Sequence, residues 1–171
     1  AHRLLAEPGL EVTVLEAMEA PGGQLRLAVR NRRRTDLIGI VDWRMARCER
    51  LGVQFRFNTY AEAGDVLAEN PDIVVIATGG LPNAGRLHFG AELATSPWDV
   101  LGGQAKVAPE VLVYDNHGGH EGTTLGEYVV NQGARLDYVT PERLVGVDVG
   151  GLNYPAYYKA LYAAKATITV N

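Results

Sequence analysis

Residues 11–24 read EVTVLEAMEAPGGQ, and this stretch decides the fold class of the chain. Its first part, Glu11 to Leu15, is rich in β-branched residues and predicts a β-strand. Its last part carries the neighbouring glycines Gly22 and Gly23, which allow a tight turn or a close backbone approach. A strand that leads into a glycine turn is typical of α/β proteins, whose ligands bind beyond the carboxyl ends of the strands.

Predicted strands and helices alternate along the rest of the chain. The predicted helices are residues 1–7, 35–51, 63–69, 123–131 and 155–164, and the predicted strands are residues 11–15, 53–57, 73–77, 111–114, 135–139 and 166–170. Thr35 is predicted to cap the second helix. Residues 73–77 (IVVIA) are apolar throughout, which predicts a strand buried on both faces. Residues 81–109 are predicted to be loop, with a short turn near Ser96-Pro97-Trp98.

This order predicts an α/β fold, namely a Rossmann-like doubly wound parallel sheet with two nucleotide-binding-type lobes. The first lobe covers residues 1–80, a connecting segment covers residues 81–108, and the second lobe covers residues 109–171. The chain begins within a predicted helix and stops on a predicted strand. We therefore expect a fragment truncated at both ends, whose first lobe lacks its first strand and glycine loop and whose second lobe is incomplete.

The composition narrows the classes of partner. The 171 residues carry a formal net charge of −4, so nothing in the charge balance favours nucleic acid. No apolar run is long enough to cross a bilayer, and no signal peptide is recognisable. The single cysteine, Cys48, is predicted to be a buried packing residue and suits a reducing compartment. We expect a cytoplasmic protein with neither a membrane nor a nucleic-acid partner.

The end of the first predicted strand is a candidate cofactor site. Glu16 follows this strand directly, with Ala17 beside it. A carboxylate here can accept hydrogen bonds from both hydroxyls of an adenosine ribose, although a solvated acid at a strand end is an equal alternative. The turn Gly22-Gly23-Gln24 allows a backbone to pass close to a pyrophosphate or a flavin ring, and a plain turn is its alternative.

A second candidate lies at the end of the apolar strand predicted for residues 73–77. Ala77, Thr78 and Gly79 form a turn in which small residues leave room for a cofactor and the threonine hydroxyl can tie the backbone. Ligands bind at this position in open α/β sheets. A structural turn is the alternative.

The second lobe has a loop in the position of a nucleotide loop, spelled DNHGGHEG from Asp115 to Gly122. On the pattern G-x-G-x-x-G, the glycine positions carry Asp115, His117 and His120, and Asp115 brings negative charge toward a phosphate. This spelling argues against NAD(P) binding. The two histidines with Asp115 and Glu121 also suggest a metal site, but a glycine-rich loop makes a poor cage and no metal is predicted.

Other motifs are predicted to be structural. The basic run from Arg30 to Arg34 reads as a solvated loop, with a phosphate contact as the alternative. Four tyrosines at helical spacing are predicted to pack: Tyr154, Tyr157, Tyr158 and Tyr162. The sequence has no Ser-His-Asp arrangement and no Cys-x-x-Cys pair that supports hydrolase or thiol chemistry, and we predict no catalytic residue.

Several stretches together resemble one protein family. These are EVTVLEA, APGGQLRLA, DLIGIVDWR, LGVQFRFNTYAEA, PDIVVIATGGLPN, SPWDVL, VLVYDNHGGHEG and DVGGLNYPAYYKAL. They resemble the C-terminal nucleotide-binding half of NADH:flavin oxidoreductases related to trimethylamine dehydrogenase, 2,4-dienoyl-CoA reductase and demethylases of N-methylated amino acids. The ATGG turn is shared by many flavoproteins, whereas GGQLRLA, IVDWR and YDNHGGHEG in combination are much narrower.

The resemblance implies a cofactor region within a longer enzyme. It implies an N-terminal barrel with FMN and the substrate site, then a 4Fe-4S cluster, neither of which is in this sequence. It also implies that Glu16 holds the adenosine ribose, that Gly22 to Gln24 line the cofactor, and that Thr78-Gly79 meet the flavin or its diphosphate. The first site is expected to hold FAD or ADP. A homo-oligomer of the full protein is compatible with this expectation.

Three interpretations of function stay open. The first is the FAD- or ADP-binding region of a flavin-dependent oxidoreductase that oxidises or demethylates a methylated amine or amino acid. The second is a structural or regulatory ADP-binding module without redox turnover. The third is a general pyridine-nucleotide-dependent flavoprotein reductase, against which the missing redox cysteine pair argues.

Overall fold

The computed structural model describes residues 10–83, 87 and 89–171. They form two compact units. Of the described residues, unit 1 contains residues 10–26 together with Asp36–Gly80, and unit 2 contains Leu27–Thr35 together with those from residue 81 to residue 171. Both units are mixed α/β structures with parallel strands, which confirms the predicted fold class at this level. The helix predicted for residues 1–7 lies outside the described residues.

Unit 1 has a two-stranded parallel sheet. Strand β1 (Thr13–Leu15) pairs in parallel with strand β2 (Gln54–Arg56). The short helix α1 (Gln24–Ala28) begins in this unit, and the helix α2 (Ile38–Arg50) connects the two strands. Helix α3 (Ala63–Ala68) follows, with a capping box between Glu62 and Asp65. The β-branched and alternating residues of both strands thus form the sheet that their sequence predicts.

The entry into α2 differs from the prediction. Thr35 is not an N-cap, because it lies within a 3-10 helix (Arg32–Leu37) and its hydroxyl donates to the carbonyl of Arg32 at 3.2 Å. The 3-10 turn leads directly into α2 from Leu37, whose side chain has no capping group. Cys48 is buried on the inner side of α2, as its helical spacing predicts.

The apolar stretch Ile73–Ala77 is the largest departure from the prediction. These residues form no strand in the structure, and the side chain of Ile76 is 82% exposed. A strand exists only when a neighbour supplies hydrogen-bond partners, and among the described residues only β1 and β2 pair in unit 1. The prediction of a strand buried on both faces is therefore wrong for this structure.

Unit 2 has a three-stranded parallel sheet in the order β3-β4-β5. The strands are β3 (Glu110–Tyr114), β4 (Arg135–Val139) and β5 (Thr167–Thr169). Val113 pairs with Tyr138, and Tyr138 pairs with Ile168. Helix α5 (His120–Asn131) connects β3 to β4, and helix α6 (Tyr154–Ala163) connects β4 to β5. These bounds agree closely with the predicted elements.

The helices of unit 2 share one hydrophobic core with the sheet. Leu125 and Val129 of α5 and Leu161 of α6 pack with Leu136 and Tyr138 of β4. Because a right-handed crossover that moves across a sheet in one direction keeps its helices on one side, α5 and α6 cover the same face. The side chain of Leu112 is on the other side of its strand and is 66% exposed.

Residues near 97 form a helix rather than the predicted turn. Helix α4 (Pro97–Gly102) begins at a capping box, in which the amide of Asp99 donates to the hydroxyl of Ser96 and the Asp99 carboxylate accepts from the Ser96 amide. Pro97 is at the first helical position, where its missing N–H costs nothing. Leu101 of α4 joins the core of unit 2. No helix in the described part of the chain is long and apolar enough to cross a membrane.

The core of unit 2 can be tested by removing one side chain. Leu161 is fully buried, so Leu161→Ala should lower the free energy of unfolding by about 2–5 kcal/mol through lost burial and the cavity left behind. Leu152→Ala is the matched control, since Leu152 is 98% exposed and its loss should change stability by less than about 0.5 kcal/mol. Denaturant unfolding of both variants measures the difference, and equal effects would contradict this core.

Candidate functional site

Glu16 lies where β1 ends. Its amide donates to the carbonyl of Arg56 at 3.0 Å, which continues the pairing of β1 with β2 by one residue. Its carbonyl accepts from the amide of Thr59 at 2.9 Å. Its carboxylate is half-buried, and Oε1 accepts the amide of Met18 at 2.9 Å. The carboxylate is therefore held at the carboxyl edge of the sheet through a single backbone donor, with Ala17 exposed beside it.

The Gly22-Gly23 turn has a backbone that requires glycine. Gly22 has φ of 118° and Gly23 has φ of 47°, both in the region that side chains disfavour. A Cβ on Gly22 would lie 3.0 Å from Cγ2 of Val41, so the turn packs directly against α2. Gln24 is exposed and begins α1, and Arg26 donates to the carbonyl of Pro21 at 2.6 Å across the turn. Gly22 thus packs against α2, whereas Gly23 is exposed with open space around it.

The third predicted group, residues 77–79, also belongs to unit 1. Ala77, Thr78 and Gly79 are exposed, and Gly79 has φ of 73°. No hydrogen bond within the described residues connects them to Glu16 or to the Gly22-Gly23 turn. Unit 1 contains all three predicted groups, and their assembly into one cofactor site stays a prediction.

In unit 2 the side chain of one acid, Asp115, binds the backbone of the loop before α5. The carboxylate of Asp115 is buried and accepts three hydrogen bonds, from the amides of His117 and Gly118 at 3.0 Å each and from the hydroxyl of Tyr138 at 2.6 Å. Burial, and then the charge and the hydrogen bond of Asp115, raise the pKa of Tyr138, so its hydroxyl stays protonated and donates. Sequence reasoning flagged Asp115 as a mismatch but missed Tyr138.

His120 stands at the first position of α5. Its Nδ1 lies 3.4 Å from the hydroxyl of Tyr157, which is also 3.2 Å from the hydroxyl of Thr124. Burial, and then the charge of Arg34, lower the pKa of His120, against the opposing charge of Glu121. The described residues contain no group of three His, Cys, Asp or Glu side chains that could hold a metal ion. The contacts of His120 and Thr124 with the hydroxyl of Tyr157 link α5 to α6.

The sequence did not predict a polar cluster in which the buried residues Asn31 and Glu127 are joined by Arg33 of the basic run. Within unit 2, Asn31 is buried and donates through Nδ2 to the Glu127 carboxylate at 2.6 Å. The guanidinium of Arg33 also donates to Glu127, donates to the carbonyl of Ala156 at 3.0 Å, and lies over the ring of Tyr157. Arg33 is thus exposed and yet pairs with a buried carboxylate, and Arg30 and Arg32 are exposed as expected for a solvated loop, while a phosphate contact stays a prediction.

The predicted tyrosine packing is present in α6. Tyr157 is buried, and the rings of Tyr154 and Tyr158 lie 4.6 Å apart between centroids. The hydroxyl of Tyr158 accepts the amide of Val145 at 3.1 Å, which ties the preceding loop to the helix. Burial is the main reason that the pKa of Tyr158 is raised, to about 12. Nothing in this arrangement adds a catalytic group.

Comparisons with known proteins place the whole chain within larger oxidoreductases. It is 45% identical over 170 residues to a probable N-methylproline demethylase of Rhizobium meliloti, a match that spans 99% of this chain and 25% of that protein. It is 35% identical to an N,N-dimethylglycine/sarcosine dehydrogenase of Chromohalobacter salexigens, again over 99% of this chain and 25% of the relative. The chain thus spans about a quarter of the length of these curated relatives. No protein-family model matches it.

A solved structure shares both fold and sequence with the chain. It is a 2-naphthoyl-CoA reductase in complex with 2-naphthoyl-CoA, which superposes with a TM-score of 0.89 at 28% identity. The match covers 99% of this chain and 26% of that enzyme. Nearly every residue described above therefore has a structural counterpart in a larger enzyme.

The Gly22 turn is open to a direct test of its backbone. Gly22→Ala should lower the free energy of unfolding by about 1–3 kcal/mol, because φ is positive and the new methyl group meets Val41. Gly39→Ala is the control, since that glycine lies within α2 with open space around it, and alanine there should be neutral or stabilise by up to about 1 kcal/mol. Thermal unfolding distinguishes the two, and a harmless Gly22→Ala would rule out the strained turn.

The buried polar cluster can be tested at its acceptor. Glu127→Ala removes the carboxylate that Asn31 and Arg33 share and should cost about 2 kcal/mol of unfolding free energy. Glu110→Ala is the control, because Glu110 pairs with Arg135 at 3.1 Å with both side chains more than half exposed, and its loss should cost less than about 1 kcal/mol. Chemical denaturation provides both values, and similar costs would argue against the cluster.

Proposed function

The chain belongs to the NADH:flavin oxidoreductase family, and it matches a quarter of the length of the N-methylproline demethylase. We therefore propose that it forms the FAD- or ADP-binding region of a flavin-dependent oxidoreductase. The observation that carries the proposal is the Glu16 carboxylate at the carboxyl end of β1, where its Oε1 is held by the Met18 amide. In dinucleotide-binding folds an acid at this position accepts the ribose hydroxyls of the adenosine. Unit 1 supplies this acid on a fixed strand end.

The residues of unit 1 fit an adenosine diphosphate group. Glu16 has one oxygen engaged by Met18, and the other can accept from a ribose hydroxyl. Gly22 and Gly23 have no side chains and Gly23 is exposed, so a diphosphate or flavin edge can approach the backbone of the turn at Gly23. In our proposal Gln24 lines the same path, and Ala77, Thr78 and Gly79 contribute the opposite wall.

In this proposal the chain binds and orients the cofactor, and the flavin would supply the redox chemistry. The described residues of unit 1 offer Glu16 as an acceptor at the ribose and backbone amides at the turn. Neither group gains or loses electrons. We propose that Glu16 fixes the adenosine, and that the remainder of the cofactor then runs along the turn at Gly22 and Gly23.

The names of two relatives support a substrate class for the whole protein. These two are named for N-methylproline and for N,N-dimethylglycine or sarcosine, which are all N-methylated amino acids. We propose that the full-length protein oxidises or demethylates a methylated amine or amino acid. In this proposal a barrel with FMN and a 4Fe-4S cluster belong to the full-length protein outside these 171 residues. We also propose that the full-length protein works in the cytoplasm, and a homo-oligomer is compatible with this role.

The doubly wound arrangement belongs to the same proposal. The sheet of unit 2 has α5 and α6 on one face, while Leu112 and Tyr114 of β3 are exposed on the other. Parallel sheets are covered on both faces in most α/β proteins. We propose that further helices of the full-length protein cover the side of β3 that carries these residues.

A non-redox ADP-binding module is the second candidate. The observation that favours it is the closed loop at Asp115, which makes unit 2 a poor place for a nicotinamide nucleotide. The absorbance spectrum of the purified full-length protein separates the two candidates. FAD bound in addition to FMN supports the oxidoreductase role of this region, whereas colourless ADP in its place supports the module.

Glu16→Gln tests the ribose contact directly. Glutamine keeps the size of the side chain and can still accept from the Met18 amide, but it loses the charge and one acceptor oxygen. Binding of ADP, measured by calorimetry on the cofactor-free full-length protein, should weaken by about 10–100-fold, the equivalent of a charged hydrogen bond. Glu19→Gln is the matched control, because Glu19 is exposed in the same turn and should leave the affinity unchanged. If Glu16→Gln and the wild type bind ADP with equal affinity, Glu16 does not contact the ribose.

A further inference from the structure

The loop after β3 is the second place where the chain could take a nucleotide. In dinucleotide-binding folds the turn between a strand and the next helix holds a diphosphate against backbone amides and the helix N-terminus. Here that turn is the segment Asp115–Gly119 between β3 and α5. The residues present at this turn decide whether a diphosphate fits.

The amides of this turn already serve an anion of the chain itself. Asp115 Oδ1 accepts the amides of His117 and Gly118, and Asp115 Oδ2 accepts the hydroxyl of Tyr138. The side chain is only 5% exposed. A buried carboxylate with three hydrogen-bond donors is satisfied. A phosphate at this turn would need the same donors, and the negative charge of Asp115 beside it would repel it.

Glycine at position 122 admits the carboxylate to the first turn of α5. A Cβ there would lie 2.4 Å from Cγ of Asp115 and 2.7 Å from the hydroxyl oxygen of Tyr138. Gly126, one helical turn later, accommodates the ring of Tyr138 in the same way, at 3.1 Å. In a nucleotide-binding loop a glycine gives the ligand room, whereas here the glycines give that room to Asp115 and Tyr138.

The segment before α6 covers the turn from the outside. A Cβ on Gly118 would lie 2.5 Å from Cγ1 of Val147, and the carbonyl of Gly118 accepts the amide of Asp148 at 2.9 Å. Gly118 and Gly119 are both buried. A diphosphate would therefore have to displace Asp115 from within and Val147 from above.

We propose that Asp115 is an internal anion that occupies the diphosphate position of unit 2, locked by Tyr138, and that unit 2 binds no NAD(P). The residues do not fit a dinucleotide, so no hydride or electron passes through a nicotinamide held at this turn. The role of the turn is to join β3, β4 and α5 through one carboxylate. This inference is independent of the proposed function of Glu16 in unit 1.

Rescue by a small anion tests the internal-anion role. Asp115→Ala leaves two amides and a buried hydroxyl without their acceptor, and it leaves a space the size of a carboxylate. In the full-length protein, sodium formate should raise the melting temperature of Asp115→Ala by about 2 °C or more, relative to sodium chloride at equal ionic strength. Formate should not shift the wild type or Asp148→Ala, a variant of an exposed acid in the neighbouring loop. Absence of a formate effect on a folded Asp115→Ala would overturn the proposal.

Hydrogen exchange locates any bound nucleotide and does not depend on a variant that folds. NADH or NADPH added to the wild-type full-length protein at about 1 mM, a concentration that saturates any site with a dissociation constant well below it, should leave exchange in residues 113–125 unchanged. Protection of those amides would overturn the proposal, and protection confined to other segments supports it. ADP is added in parallel, because protection near Glu16 reports the proposed site of unit 1 separately.

Discussion

The hydrogen bond from Tyr138 to Asp115 is the interaction on which unit 2 depends. Tyr138 lies on the central strand β4 with none of its surface exposed, so its hydroxyl must find an acceptor within the protein. Asp115 provides this acceptor at 2.6 Å and binds two amides of the turn with its other oxygen. A single carboxylate thus joins the strands β3 and β4, the turn after β3 and the first turn of α5. Gly122 and Gly126 are required because Asp115 and Tyr138 fill the space beside them.

Local pattern predicted unit 2 well and unit 1 less well. The bounds of β4 agree with the prediction residue for residue, because buried Leu136 and Tyr138 alternate with more exposed neighbours, as in a strand with one covered face. Residues 73–77 carry an equally strong strand composition and yet form none. Composition reports what a segment can bury, whereas a strand also needs a partner edge, which no local pattern contains. Ser96 and Asp99 show the opposite error, since their capping box marks a helix that was predicted as a turn.

The features of the candidate site also differ in whether the local sequence could predict them. The need for glycine at Gly22 and Gly23 is a property of the local backbone, and the sequence reveals it. Asp115 was recognisable as a mismatch in the nucleotide pattern, but its partner Tyr138 is 23 residues away and belongs to another strand. The pairing of Asn31 with Glu127 joins residues 96 positions apart and has no motif at all. Contacts of this kind depend on the tertiary fold, so periodicity and spacing could not have found them.

The two acids at strand ends differ in how much of their accepting capacity the chain itself uses. An ionised carboxylate has about four acceptor positions on two oxygens. Both carboxylate oxygens of Asp115 accept hydrogen bonds, from three donors of its own unit, and the residue is almost fully buried. Glu16, one methylene longer and half-buried, is held by the Met18 amide at one oxygen. Position at the carboxyl end of a strand is therefore insufficient to make an acid a ligand-binding group. The decisive property is the number of acceptor positions that the contacts within the fold leave free. By that criterion Glu16 keeps the acceptor positions that the proposed ribose contact needs, whereas Asp115 is part of the scaffold.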